Sequence, residues 1–342
     1  MDLRPSDEQR QLIEAYAALY AKESSPERVR AAEPLGFDQR LWDQLLETGS
    51  REMSVGEADG GWGASILDLA LVAQEHGRAL GSAPLLETQV AARLLARVGG
   101  EDATAALASA LAGDRLVTVT PRRAVRGTAA LVPAGAIATD VIVRDGDSLL
   151  LVPVGDDRVL PENVGSMPLA DVPVGDGTVL ATGTAAAEAF EAALDEWLVL
   201  TAHALVGMAR RSVQIGVEYV IEREAFGQKI GAFQGVGHRL ADVAAATDGA
   251  ELVAHESAWA AADDIGRAPA LAAMAFAFAA ETARDASYWA LHFHGGYGFM
   301  LEYDIQLYFR RARAWAGVLM SPAKAYQRVA DRRYGLASGG AR

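Results

Sequence analysis

The hydrophobic period of this chain changes twice, and those two changes limit what it can fold into. Up to about Ala112 apolar residues recur at helical spacing, as in Leu12, Ile13, Tyr16, Leu19 and Tyr20. Near Leu116 the period drops to two: Val117 and Val119 alternate with Thr118 and Thr120, and the chain to Thr182 is rich in Val, Gly, Pro and Asp. Beyond it alanine-rich helical spacing returns. The pattern predicts a mainly α protein with a small β domain, organised as a helical domain over 1–112, a β domain over 113–182 and a helical bundle over 183–342.

Within these blocks local signals set the elements. Ser6 and Asp7 are candidate caps for the first helix, and Leu41, Leu45 and Leu46 mark a second. The glycines of Gly56–Gly63 predict a turn-rich loop before an apolar helix from Ser65 to about Leu80, and a further helix runs from about Pro84 to Arg97. Val141–Val152 reads as a hairpin, with Asp145-Gly146 supplying the positive φ of a tight turn. Ala185–Arg333 reads as four or five long helices interrupted at Gly295–Gly298, and Gly335–Arg342 as a frayed tail.

Composition removes several functions. Lysine and arginine number 31 against 45 aspartate and glutamate, and a net charge of −14 lacks the basic face that a phosphate backbone demands. With no cysteine there is no disulfide, thiolate or cysteine-ligated cluster, which suits a reducing cytoplasm. The polar, acidic start differs from a signal peptide, and no uncharged apolar run is long enough for a bilayer, so a soluble cytoplasmic protein is expected. The histidines at 76, 203, 238, 255, 292 and 294 form no convincing zinc spacing, so no metal is expected. Gly60-Gly61-Trp62-Gly63 lacks the lysine and the preceding strand of a phosphate loop.

Two segments carry chemistry: Arg223-Glu-Ala-Phe-Gly-Gln-Lys-Ile-Gly-Ala-Phe-Gln234 and His294-Gly-Gly-Tyr-Gly-Phe299. A buried pyrophosphate needs a fixed cation or converging N–H groups, and a guanidinium such as Arg223 forks onto phosphate oxygens in a way lysine cannot. Phe226 offers an apolar wall, Gln234 a polar contact, and Gly295-Gly296 a place where backbone approaches phosphate without a Cβ in the way. Each has a plain alternative: a surface ion pair of Arg223 with Glu222 or Glu224, a core phenylalanine, a helix end. Together, in this order, and followed by Glu302-Tyr303 and Arg310-Arg311-Ala312, the segments resemble the acyl-CoA dehydrogenase family. Glu75-His-Gly-Arg78 after the glycine-rich loop is similar to that family's N-terminal domain.

The resemblance implies the acyl-CoA dehydrogenase fold, with an N-terminal helical domain, a shortened middle β-barrel and a C-terminal four-helix bundle, and it implies FAD. The cofactor-binding positions it carries over are Arg223, Ala225, Phe226, Gln234, His292, Gly295 and Gly296, holding the adenine and pyrophosphate across a subunit interface. His292 departs from the family's glutamine; it still donates a hydrogen bond, and a helix-end histidine beside Trp289 is the equal alternative. The family removes a proton from Cα of an acyl thioester while hydride leaves Cβ for the flavin, so a carboxylate must stand over Cα. Where most members carry that glutamate this chain has Leu319, and where others carry it, ten residues before Gly207, it has Trp197. Glu196 is adjacent, but one helical residue turns a side chain by about a hundred degrees. No catalytic residue is therefore assigned. The middle segment is short as well: after Val117-Thr-Val-Thr-Pro121 comes Arg122-Arg123 in place of the family's threonine-glutamate-proline turn, glycine-serine loop and tryptophan strand that cradle the flavin ring.

Glu302–Ala312 resembles the actinobacterial branch acting on steroid side chains, whose enzymes pair a short subunit with a larger acyl-CoA dehydrogenase subunit that carries the base and the ring site. By that resemblance the chain is the short subunit of a heterotetramer with two copies of each chain, acting on a bulky, steroid-like acyl-CoA and passing electrons to an acceptor protein. Two alternatives stay open on the sequence: a self-sufficient homotetramer using Glu196, and a flavin-free scaffold that binds CoA esters.

Overall fold

The computed structural model describes residues 3–33, 35–175 and 177–335; the expected tail lies, beyond Gly335, outside the described residues. Helices come first: α1 (Asp7–Glu23), α2 (Pro26–Ala32), α3 (Gln39–Glu47), α4 (Ile66–Arg78), α5 (Leu85–Val98) and α6 (Gly100–Ala112). Six strands follow, β1 (Val117–Arg123), β2 (Thr128–Val132), β3 (Asp140–Asp145), β4 (Ser148–Pro153), β5 (Ala170–Pro173) and β6 (Thr178–Thr182). The remainder is α7 (Gly183–Glu222), a small hairpin of β7 (Glu224–Ala225) and β8 (Gln228–Lys229), then α8 (Gln234–Asp263), α9 (Ala268–His294), α10 (Ile305–Gly317) and α11 (Pro322–Tyr334).

The ends of these helices are chemically explained. Ser6 caps α1 through a reciprocal box with Gln9, and the Asp38 carboxylate accepts from Leu41 N at 3.2 Å at the start of α3. Gly113, at φ 89°, ends α6, whose last carbonyls at Ala110 and Leu111 accept from the buried Arg51 guanidinium. Sequence alone did not separate α2 and α6 from their neighbours, because α2 has only 7 residues and α6 follows α5 across the single residue Gly99.

By contact the chain groups into two units, one built from residues 1–26, 70–81 and 198–342, the other from 27–69 and 82–197. In the second, β1, β3, β4 and β6 form a sheet in that order, parallel between β1 and β3 and antiparallel elsewhere, while β2 and β5 form a second sheet. Ala129, Val132, Val141, Val143, Val152, Ala170 and Val172 share one core beneath them. The β3–β4 turn is Gly146-Asp147, one residue later than expected: Asp145 pairs with Ser148, and Gly146 alone takes a positive φ of 54°.

In the first unit α9 packs against α8, α10 and α11, its buried residues mostly alanine around the fully buried Phe276. Alanine there lets helices approach closely, and at one crossing the spacing is closer still. A Cβ on Gly77 of α4 would lie 1.9 Å from Ala204 O of α7, and one on Gly207 would lie 2.0 Å from Gln74 O, so backbone meets backbone. α7 contains an 18-residue window apolar enough by composition to cross a bilayer, although not an uncharged one of that length; 83% of that window is buried in the fold, as in a core helix.

Candidate functional site

α7 gives way at Arg223, whose N–H still donates to Tyr219 O at 2.9 Å while its carbonyl accepts from Ile230 N, closing the β7–β8 hairpin. The turn residues Phe226 and Gly227 have φ of 53° and 81°, the two positive values of a type I′ turn. Asparagine or glycine suits the first of these positions; a phenylalanine held there costs of order 1–3 kcal/mol. Phe226 is nevertheless 97% exposed, touching only the edge of Phe233 at 6.2 Å among aromatic neighbours. Ala225 sits half-buried opposite Gln228. Glu224 pairs with Lys229 at 2.8 Å, and no carboxylate among the described residues pairs with the exposed Arg223. Of the two carboxylates that competed for Arg223, Glu224 is thus taken by Lys229, and Glu222 forms no ion pair with Arg223 among the described residues.

Gln234, exposed, opens α8 and lines a groove of about 530 Å³ with Gly235, His238, Arg239, Ala241 and Asp242. The Arg239 guanidinium lies 5.1 Å over the Trp289 ring, which meets His292 edge-on at 5.4 Å. His292 is exposed, and its ring also stacks on Tyr288, so the helix-end contact with Trp289 is real and leaves the other edge of the imidazole to solvent. Two residues on, His294 is buried, its Nδ1 2.7 Å from Ala290 O, and it stacks on Tyr219 at 3.9 Å; burial lowers its pKa. That stack joins the end of α9 to the turn of α7 that precedes Arg223. Gly295 takes φ 60° to end α9. Gly298 is required by packing, since its Cβ would meet Leu291 O at 2.6 Å, but Gly296 has no positive φ and a Cβ there would meet nothing. The chain's own packing does not call for glycine at 296.

All seven cofactor positions therefore gather at one end of one unit, linked through Tyr219–His294, Phe226–Phe233 and Arg239–Trp289. The residues fit an adenine and a pyrophosphate: an unpaired guanidinium, an uncovered aromatic face and an open glycine. They are legible as a motif, and so is Trp289 as the neighbour of His292; the supporting Tyr219 and Arg239 are not, except as an aromatic and a basic residue near helix ends.

The ring-holding end does not fit. β1 passes through Ala124–Gly127, with Arg126 and Gly127 at φ 53° and 74°, directly into β2, and Thr120 Oγ1 is spent on the backbone of Arg122. Arg123 reaches Glu191 at 3.4 Å. No loop remains in this connection to cradle a tricyclic ring.

The candidate bases are accounted for. Leu319 lies just past α10, half-buried and aliphatic, and Trp197 is buried in α7. Glu196 is engaged on both oxygens: Arg93 Nε and Nη2 donate at 3.0 Å each, and Arg97 Nη2 at 2.5 Å. A carboxylate so held would have to leave two guanidiniums to reach a substrate. The carboxyl that burial pushes up to about 7 is Glu87 of α5, which no motif had marked.

Residues 6–114 match the acyl-CoA dehydrogenase N-terminal domain and residues 187–316 the C-terminal domain. The acyl-CoA dehydrogenase IpdE2 of Mycolicibacterium smegmatis is 34% identical over 95% of this chain and 98% of its own length. Among solved structures, a chain of the ChsE4–ChsE5 complex from Mycobacterium tuberculosis superposes with a TM-score of 0.89 at 26% identity, covering 99% of this chain and all of that one. A chain of the Tcur3481–Tcur3483 steroid ACAD variant gives 0.86 at 25% identity, covering 96% and 98%. On the matched domains, the near-full-length relative and the shared architecture, this chain belongs to the acyl-CoA dehydrogenase family.

Proposed function

We propose that this chain is the short, base-less subunit of a heteromeric acyl-CoA dehydrogenase. The observation that carries the reading is the pairing of a prepared nucleotide-binding end with an engaged Glu196 and an aliphatic Leu319. FAD, the family's cofactor, supplies a hydride-accepting ring when bound, and the larger partner subunit carries the ring site and the glutamate. In that assembly Arg223 neutralises the pyrophosphate, Phe226 walls the adenine, and Gly295-Gly296 admits the phosphates. The two complexes of unlike chains among the structural neighbours, one of them a steroid ACAD by its description, support a heterotetramer with two copies of each chain and a bulky, steroid-like acyl-CoA. An electron-accepting protein and a cytoplasmic setting complete the proposal.

The test is co-production. Made alone, the chain is expected to be colourless; made with its partner, it should yield a yellow complex of two plus two chains by native mass. A lone preparation that holds stoichiometric FAD and desaturates an acyl-CoA would instead establish the self-sufficient enzyme.

A further inference from the structure

We infer that Tyr219 and His294 are a pair of positioning residues: their ring stack fixes where Arg223 stands relative to Gly295-Gly296, and so sets how well this chain grips the pyrophosphate of the cofactor. The inference rests on the proposed function, in which those two segments hold the phosphates, and names what holds the segments to each other.

The two phosphate-binding segments follow different helices. Arg223 comes at the end of α7 and Gly295-Gly296 at the end of α9, so neither helix alone sets the spacing between them. The helices meet just before both end. A Cβ on Gly216 of α7 would lie 3.1 Å from the Ala290 side chain of α9, and one turn further along the Tyr219 and His294 rings stack at 3.9 Å, 21° from parallel. From that stack to the two segments the chain is tied closely: Arg223 N donates to Tyr219 O at 2.9 Å, and Gly295 is the residue after His294.

The His294 ring is itself held from several sides. It is buried, its Nδ1–H donates to Ala290 O at 2.7 Å, and the Tyr303 ring packs edge-on against it at 5.8 Å. A Cβ on Gly298 would lie 2.6 Å from Leu291 O and 3.2 Å from the His294 Cβ, so the turn that carries the double glycine folds back directly onto this side chain. Burial lowers the pKa of the imidazole, which is therefore mostly neutral at pH 7 and is no second cation for the phosphates. What His294 offers the cradle is a ring in a fixed place. A bound cofactor feels it through the spacing of Arg223 and Gly295-Gly296, as a ligand feels any supporting residue that locks the groups in contact with it.

The experiment titrates FAD into the co-purified complex after the cofactor has been stripped. Tyr219→Ala is expected to weaken binding about tenfold, the worth of an aromatic pair, while Tyr219→Phe, which keeps the stack, binds as wild type. A double-mutant cycle with Arg223→Ala separates positioning from a general loss of structure: once Arg223 is gone, the penalty of Tyr219→Ala should shrink to about threefold or less. Wild-type affinity in Tyr219→Ala, a Tyr219→Phe as weak as Tyr219→Ala, or a penalty undiminished in the double mutant overturns the inference and leaves the proposed function standing. Should Tyr219→Ala yield no complex, His294→Leu removes the stack with an apolar side chain of similar bulk and is read in the same cycle. A wild-type complex that takes up no FAD overturns both.

Discussion

Arg223 and Glu196 bear opposite charges and opposite surroundings, and that contrast underlies the proposed function. Arg223 is left without a carboxylate because Lys229 claims Glu224, so its charge is available outward. Replacing it with alanine in the complex should weaken FAD binding about tenfold to a hundredfold, the worth of a charged hydrogen bond, measured by cofactor titration; unchanged affinity would remove Arg223 from the cradle. Glu196 is satisfied inward by Arg93 and Arg97. Glu196→Gln should leave turnover of the complex intact and lower the stability of this chain by about 1–3 kcal/mol, because two partly buried guanidiniums lose their counter-charge; a loss of turnover by orders of magnitude in a folded variant would make Glu196 the base. The sequence shows Arg223 and Phe226 plainly, since a local motif contains them. It hides the Arg93–Glu196 pair, whose partners are 103 residues apart, because charge partners across a fold leave no periodic trace.

At the level of elements, helix periods were readable and crossings were not. The helices expected at Ser65–Leu80 and Pro84–Arg97 appear as Ile66–Arg78 and Leu85–Val98, because a continuous apolar face specifies a helix wherever its ends fall. The β7–β8 hairpin escaped notice: two-residue strands have no alternation to detect, and phenylalanine is an unusual first residue for its turn. Gly207 served only as a register mark in the sequence, yet with Gly77 it lets α4 and α7 touch backbone to backbone. Gly207→Ala should therefore destabilise by about 3 kcal/mol or more, as overpacking without room to relax does; a denaturant midpoint equal to wild type would contradict that crossing. In the hairpin the sign reverses. Phe226→Asn should stabilise the isolated chain by about 1 kcal/mol through relief of the left-handed backbone, while weakening FAD binding in the complex.

For the molecule as a whole, buried titratable groups set the pH range. Burial, assisted by Arg311, holds His76 at about 3 against an ordinary 6.5, and burial beside His255 does the same to His203. Unfolding lets both take up protons, so their contribution is intact above about pH 6.5 and is lost as pH falls toward 3, at roughly 1.4 kcal/mol per pH unit each. Glu87 works the other way: raised from 4.5 to about 7 by burial, it favours the fold at low pH and withdraws that support as pH rises through 7. Two histidines outweigh one glutamate, so thermal stability should peak near neutrality and fall towards pH 5. Glu87→Gln should raise the melting temperature at pH 8 and not at pH 4.5; a pH-independent effect would refute this assignment. None of this was visible in composition, since burial depth belongs to the fold. The Phe226-Gly227 turn has a kinetic corollary. A fingertip already bent has little disorder to surrender on contact, so in the proposed two-subunit enzyme capture of the coenzyme would be paced by how often the subunits collide in the right orientation, not by a slow remodelling of the receiver.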